Sequence, residues 1–476
     1  MSHQDRISKP AIGSHAESLK AALDWLLAGD LFAEIGFRAD CTWTPYTLVF
    51  AAMLWVWGDE NSLGERFSSA HKVIKWLFKC QPVPADSYQA FIKLLRKWTT
   101  PLRNRLQVAF RQRTETALKT YWTIRGWLVF ACDGSRADVP RTRKNEARYS
   151  PKSKLSRAAQ KRHCVRRRRR ADKRKREQRE RKANVPRIWL TTLWHVGAGL
   201  PWNWRIGPSD SSERGHLESM LATLPARAML TADAGFVGYE LWQLIAAAQL
   251  EMLVRVGGNV RLLTKLGYVH ERNGLVYLWP NKAAKKRLPP LVLRLIVAQG
   301  PRQPIYLVTS VTNPRKLSDR AAVEIYGRRW GIELFYRNYK QTFERRKLRS
   351  HNPDNVAVEM EWSLLGMWAL GLHSHQHLTS KGVPPEKISF AGVLRAYRRP
   401  LREYRCRPET GQSLSELLDL AIIDSYDRKN KASRDYPQKK TDRQAAGPPK
   451  IIKASSTQIE LARQVRKNDS KKRLSA

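Results

Sequence analysis

Three carboxylates, Asp133, Asp233 and Glu333, stand apart from the other acids of this chain. Asp133 closes the apolar run Trp127-Leu-Val-Phe-Ala-Cys, and Asp233 closes Ala228-Met-Leu-Thr-Ala. Glu333 sits on a helix-forming run with Tyr326, Arg329 and Lys340. Cleavage of a phosphodiester by in-line attack is helped by two divalent ions about 4 Å apart, one at the attacking and one at the leaving oxygen. Magnesium prefers a few carboxylates, with water and phosphate oxygens completing its shell. Such chemistry needs two or three acids converging from rigid elements, and strand ends provide convergence. Each aspartate taken alone reads equally well as a turn or cap residue.

The helix adds weight. At roughly 100° per residue, Tyr326, Arg329, Glu333, Arg337 and Lys340 fall on one narrow face. An ion-pair ladder on a surface helix would give the same charges. Leu334, Phe335 and Phe343 occupy other faces, however, so much of this helix is expected to be packed, with its charged stripe turned to something specific. Arg and Lys beside a metal-binding Glu suit a substrate with phosphates on both sides of the broken bond.

The elements that must position these residues form a definite order. Residues 121–135 alternate as a strand ending at Asp133-Gly134-Ser135, where Gly fits a turn. Ile188–His195 and Trp202–Ile206 read as a hairpin around Gly197-Ala-Gly-Leu-Pro201. A helix (213–224), a short strand (228–232), a helix (237–250) and a strand (252–256) follow. Residues 259–312 break the alternation and read as an inserted β segment. From Ser318 to about Phe343 the chain reads as one helix, and Val356–His373 as a second, apolar one. The order strand, hairpin, helix, strand, helix, with an acid after the first strand, a second after the later short strand and a third on a following helix, is that of an RNase H-like α/β core. Before it, residues 14–120 read as helical. Ser14 and Glu17 form a capping box ahead of Leu19, Leu23, Leu26 and Leu27, with a stop at Gly29. Thr47–Trp57 reads as a buried helix, and Tyr88–Leu118 as a long basic amphipathic one.

Charge narrows the partner. The chain has 87 Lys and Arg against 42 Asp and Glu in 476 residues, a formal net charge of +45. Residues 141–186 hold 21 of the basic and 4 of the acidic residues, including Arg166–Arg170 unbroken. That stretch is expected to be a solvated, disordered insertion. The rest still carries 66 basic against 38 acidic residues, so an extended polyanion-binding surface is expected. A membrane is not: the longest apolar runs, Leu48–Trp57 and Trp362–Leu372, are about half the ~20 residues a spanning helix needs. The start Met-Ser-His-Gln-Asp-Arg carries no secretory signal pattern. Cys41, Cys80, Cys132, Cys164 and Cys406 form no CxxC pair, which excludes a disulfide framework or a cysteine zinc site. A cytoplasmic, nucleoid-associated protein fits.

Tyr326-Gly-Arg-Arg-Trp-Gly-Ile-Glu333-Leu-Phe-Tyr-Arg-Asn-Tyr-Lys340 resembles the Tyr-(2)-Arg-(3)-Glu-(6)-Lys mark of the bacterial DDE transposases, in particular the insertion-sequence-4 family. Asp133-Gly-Ser-Arg and Asp233-Ala-Gly-Phe-Val-Gly resemble that family's two aspartate motifs, and the β-rich insertion falls where the family carries one. The resemblance covers about residues 120–345. It implies that Asp133, Asp233 and Glu333 hold two Mg²⁺ ions, for which Mn²⁺ can substitute. Water first nicks the element's end, and the freed 3′-OH attacks the opposite strand or target DNA. Tyr326, Arg329, Arg337 and Lys340 would grip phosphates, Arg255 would touch the backbone, and Trp279 would stack on a flipped base. The partners implied are double-stranded DNA, as element ends and target, and a second copy of the chain in a synaptic homodimer.

The expected division is a helical DNA-end-binding domain (1–120), the first part of the core (121–258), the β-rich insertion (259–312), the second part of the core (313–378), and a helical C-terminal region with a basic disordered tail (379–476). A short helix is expected near Thr457–Lys467. Two other functions fit the same residues: a transposase-derived DNA-binding protein without catalysis, and a structure-selective nuclease.

Overall fold

The computed structural model describes residues 13–27, 31–78, 84–151, 185–299, 304–423 and 447–474. Most of the 141–186 stretch, including Arg166–Arg170, lies outside the described residues, as do Gly29 and positions 424–446.

Among the described residues, ten strands form one mixed sheet: β1 (Val129–Asp138), β2 (Arg187–His195), β3 (Leu200–Gly207), β4 (Met229–Ala232), β5 (Glu251–Val256), β6 (Arg261–Thr264), β7 (Leu275–Leu278), β8 (Leu291–Ala298), β9 (Ile305–Thr309) and β10 (Lys450–Lys453). Their order is β10-β6-β7-β8-β9-β5-β4-β1-β2-β3. β1 runs antiparallel to β2 and parallel to β4, and β4 runs parallel to β5. Successive residues of a strand point to opposite faces, and β1 divides accordingly. Val129 and Ala131 enter one hydrophobic core, Phe130 and Cys132 the other. Both faces are covered, which accounts for the continuous apolar run before Asp133.

The strand does not end at Asp133, and Gly134 is not a turn. β1 continues to Asp138, with Asp133 opposite Thr192 and Gly134 opposite Thr191. β4, by contrast, pairs only with Val129–Ala131. From Cys132 to Ala137, β1 therefore has a strand neighbour on one edge only, until Lys347 bridges Asp138. That opening, at the carboxyl end of a parallel strand pair, is where open α/β sheets place ligands.

The strands of residues 259–312 continue the same sheet. β9 pairs antiparallel with β5, β8 with β9, and β7 with both β8 and β6. Beyond them β10, Lys-Ile-Ile-Lys, lies parallel to β6 and forms the sheet edge. Two lysines in four residues hide this strand from a hydrophobicity reading. A helix follows at Ser456–Leu474, longer than the one expected there.

Helices α1 (His15–Leu27), α2 (Pro45–Trp57), α3 (Leu63–Leu77) and α4 (Tyr88–Ala117) precede the sheet. Thr44 caps α2, and all of Thr47–Trp57 is buried. The enclosing helix is α11 (Pro353–Thr379), as numbered after α5 (Arg143–Tyr149), α6 (Glu213–Glu218), α7 (Tyr239–Ala247), α8 (Asn281–Lys285), α9 (Asp319–Arg328) and α10 (Gly331–Arg337). Trp57 donates its indole N–H to the carbonyl of Gly366 at 3.1 Å. Trp362 donates to Thr99 of α4 at 2.9 Å, and Arg103 of α4 pairs with Glu361 at 2.7 Å. The amino-terminal helices thus share one core with α11 rather than standing free of it. Among the described residues no helix is long and apolar enough to cross a membrane.

α2 and α11 approach closely at Gly366. A Cβ there would lie 2.5 Å from Cγ2 of Val56. Gly366→Val is expected to lower stability by about 1–3 kcal/mol through overpacking, seen as a lower urea midpoint. An unchanged midpoint would mean that these helices do not meet at this residue.

Candidate active site

The helix expected from Ser318 to Phe343 is two helices and a π turn. α9 ends at Arg328, α10 begins at Gly331, and residues Asn338–Thr342 form the π turn that carries Lys340. Gly331 lets the chain pass close to the sheet, since a Cβ there would come within 3.2 Å of the Trp194 indole nitrogen. Ile332, Phe335 and Tyr336 are buried. Tyr336 donates its hydroxyl to the main-chain carbonyl of Asp133 at 2.7 Å. Burial, with Asp133 beside it, holds that phenol well above its ordinary range, so it stays a donor.

Asp133 is the centre of the site. It lies within electrostatic range of Asp233, Glu333 and Arg329. Burial pushes its carboxyl up to about 6; the Gly134 amide and Arg329 work against the rise, while Asp233 and Glu333 add to it. Asp233 is exposed. It also does the bland work of a cap: its Oδ1 accepts from the Gly235 amide at 2.8 Å, fixing the turn after β4. Glu333 is held by Arg329 at 2.7 Å. The Arg329 side chain is 11% exposed, and its Nε finds no acceptor among the described residues.

Tyr326 stacks near the Arg329 guanidinium, 5.5 Å from ring centre to carbon, and lies within range of Arg255 and Asp233. Lys340 sits within range of Asp138 and Asp133, and burial holds its ammonium below the ordinary value. The structure therefore gathers Tyr326, Arg329, Arg255 and Lys340 around the three acids. Arg337 is placed differently. With Arg328, Trp330 and Leu334 it lines a cavity of about 1000 Å³ behind α10. Trp279 is 4% exposed and donates to the Leu288 carbonyl at 2.8 Å, so its ring is enclosed in the core. The break at Arg329–Trp330 and the π turn shift angular positions that a single regular helix would have kept aligned.

One acid was not legible beforehand. Glu213, the first residue of α6, reaches the same place and lies within range of Asp133 and Asp233. A short helix after a polar loop gives no pattern that would single it out.

All the donors here are carboxylate oxygens, the set a hard divalent cation takes. As placed, no three Asp, Glu, His or Cys among the described residues close on a single ion, and Glu333 is turned to Arg329. The residue types fit such an ion, provided Glu333 exchanges Arg329 for it.

A family model, Transposase DDE domain, matches residues 128–368. The chain belongs to that family. The match spans β1 to α11 and so takes in Asp133, Asp233 and Glu333. A curated relative, the transposase InsG of insertion sequence element IS4 from Escherichia coli (strain K12), is 28% identical over 200 residues, 39% of this chain and 44% of the relative. The chain thus spans less than half the length of that relative, and the kinship with insertion-sequence-4 transposases read from the motifs is borne out. A cryo-EM structure of the piggyBac transposase synaptic complex with hairpin DNA aligns at a TM-score of 0.39 and 11% identity, over 91% of this chain and 90% of that one. That likeness is too distant to inform the site.

The raised carboxyl of Asp133 has a stability consequence with a definite sign. Between about pH 4, where an unperturbed Asp titrates, and about 6, the folded DDE domain binds more protons than the unfolded chain. Stability therefore falls as pH rises through that window and stays reduced above it. Asp133→Asn removes the effect, and is expected to be more stable than the wild type at pH 7.5 by on the order of 3 kcal/mol, with little difference at pH 4. Thermal midpoints at the two pH values test this. Equal midpoints at pH 7.5 would show that the Asp133 charge is not strained in the fold.

Proposed function

We propose that this chain is a DNA transposase, which nicks the end of a mobile element and joins the freed 3′ end to another strand. The observation that carries the reading is the placing of Asp133, on the central strand, in reach of Asp233 from the next parallel strand and Glu333 from the helix clamped to it. Family membership over residues 128–368 supports it. The strand order β3-β2-β1-β4-β5, with the first three antiparallel, supports an RNase H-like core.

Asp133, Asp233 and Glu333 would hold two Mg²⁺ ions, or Mn²⁺, which supply charge at the attacking and leaving oxygens. The chain's own residues do the rest. Arg329 has an Nε without an acceptor among the described residues, and a phosphate oxygen of the DNA would provide one. Moving to that phosphate would release Glu333. The Tyr326 hydroxyl and the Arg255 and Lys340 charges would hold neighbouring phosphates in register. In the first step a water oxygen bonds to phosphorus as the bond to the 3′ oxygen breaks; the water gives up a proton and the leaving 3′ oxygen takes one up, which yields a 3′-OH and a 5′-phosphate. In the second, the freed 3′-OH attacks a new phosphodiester in the same way. The partners are double-stranded DNA, as element end and target, and a second copy of this chain to pair two ends.

Asp133→Ala, Asp233→Ala and Glu333→Ala are each expected to cut Mg²⁺-dependent nicking of the element's own ends by about 10³-fold or more, with binding of those ends retained in a gel shift. Near-normal nicking by any one of them would remove that residue from the site. A wild type that binds but never nicks would instead be a non-catalytic DNA-binding protein.

A nuclease on the same fold would cut without joining. Given a pre-cleaved end, the wild type should insert it into a plasmid, and Arg329→Ala should lose this insertion while keeping a wild-type thermal midpoint. Unchanged insertion by Arg329→Ala would return Arg329 to the role of a helix ion pair.

A further inference from the structure

We propose that Arg66, Arg349 and Arg398 form a binding site for a phosphate group, which Glu344 occupies until the phosphate displaces it. The site uses none of the three acids and stands apart from the metal-dependent reading above.

The three guanidiniums converge from different elements. Arg66 comes from α3, Arg349 from the segment after the π turn, and Arg398 from α12 (Phe390–Arg402). Each is anchored to a carbonyl at or just past the end of α2. Arg66 donates from Nε to Glu60 at 2.9 Å, Arg349 from Nη1 to Glu60 at 3.0 Å, and Arg398 from Nε to Trp57 at 2.9 Å. Arg345 stands among them, but its donors are taken by Ser363 and by the carbonyls of Phe343 and Val56.

Arg66 is the anomaly. Its side chain is fully enclosed, and neither Nη atom has a hydrogen-bond partner among the described residues. Burial, then Arg345 and Arg349, push its pKa down to about 9, against the pull of Glu344, so it is still charged at neutral pH. A buried charge without hydrogen bonds is costly. The nearby acids do not resolve it. Asp59 pairs with Arg402 and Arg398. Glu359 accepts from the amides of Arg349 and Ser350 at 3.0 and 2.9 Å. Glu60 turns its carboxylate to Gly58, where Cβ and Cγ of Arg66 also lie. Glu344 is 3.9 Å from Arg66 and 3.8 Å from Arg349, too far to hydrogen-bond with either.

A carboxylate brings two oxygens and one charge to three cations. A phosphate group brings more of both, in the geometry a guanidinium fork matches. Glu344 is half-exposed and Arg349 a third exposed, so the site opens to solvent on their side, and Glu344 can swing outward as the phosphate enters. The same segment carries Lys347, bridged to Asp138 at the end of β1, which ties the site to the open edge of that strand.

Equilibrium dialysis of inorganic phosphate against the full chain tests the proposal through its tightest site, with thermal midpoints measured alongside. Arg66→Met and Arg349→Gln are each expected to weaken that site at least tenfold. Arg66→Met should keep or raise the wild-type midpoint, since it removes a buried charge and keeps an apolar stem. Glu344→Gln should tighten phosphate binding at least threefold. Arg272→Gln, which removes an exposed charge elsewhere, should change it less than twofold and controls for the general positive field. Wild-type affinity in Arg349→Gln, or an equal loss in Arg272→Gln, would overturn the proposal. A short DNA duplex then gives the source of the phosphate. Tenfold weaker duplex binding by Arg349→Gln would assign the site to the DNA backbone, and unchanged duplex binding beside lost inorganic phosphate would assign it to a free phosphate compound.

Discussion

The hydrogen bond from the Tyr336 hydroxyl to the carbonyl of Asp133 joins the two elements on which the site depends. It fixes α10, which carries Glu333, to β1, which carries Asp133, at one defined distance. The bond uses the backbone of Asp133 and leaves its carboxylate free. Because Tyr336 is buried, its hydroxyl has no water to turn to, and breaking the contact would strand a donor. The packing of Ile332 and Phe335 beside it then needs only to supply apolar contact, since the register between helix and strand is already set.

The remaining arrangement follows from the place where β4 stops. Between Ala131 and Asp138 one edge of β1 is open, so residues from both faces of the sheet can reach that edge. α10 comes from the face of Val129 and Ala131. α6 comes from the other, through the gap left by Gly134. A fully paired β1 would have kept these two faces apart by the thickness of the sheet. The excess of cations elsewhere in the chain makes the local concentration of acids more telling, because ion pairing would be the cheap solution for any single carboxylate. Of Asp133, Asp233 and Glu333, Glu333 alone adopts it among the described residues, with Arg329.

Much of this was legible in the sequence, for reasons specific to each element. The continuous apolar run before Asp133 follows from burial on both faces, and the hairpin from its Gly-rich turn. The spacing from Tyr326 to Lys340 reflects contacts within about four helical turns, so linear distance reports spatial distance. What was not legible depends on contacts far apart in the chain. Gly134 looked like a turn because glycine in a sequence announces turns more often than it announces a neighbour 79 residues away. Glu213 gave no signal for the same reason. Trp279 was expected, from the resemblance alone, to stack on a flipped base, yet its indole N–H is satisfied by Leu288 inside the core. β10 was missed because its partner, β6, lies almost 190 residues earlier.

The helix also shows where a periodic reading fails even at short range. A regular helix puts Arg337 within 40° of Glu333, whereas the bend at Arg329–Trp330 and the π turn after Arg337 turn that guanidinium toward the cavity behind α10. The same irregularities place Lys340 near Asp133 and Asp138. π turns recur at functional sites because an extra residue in a turn redirects the side chains that follow it. Here that redirection takes one cation of the motif toward the acids and leaves another away from them. The linear spacing of the motif therefore marks which residues belong together without stating which way each faces, and the division of labour between Arg337 and Lys340 comes from the backbone that connects them.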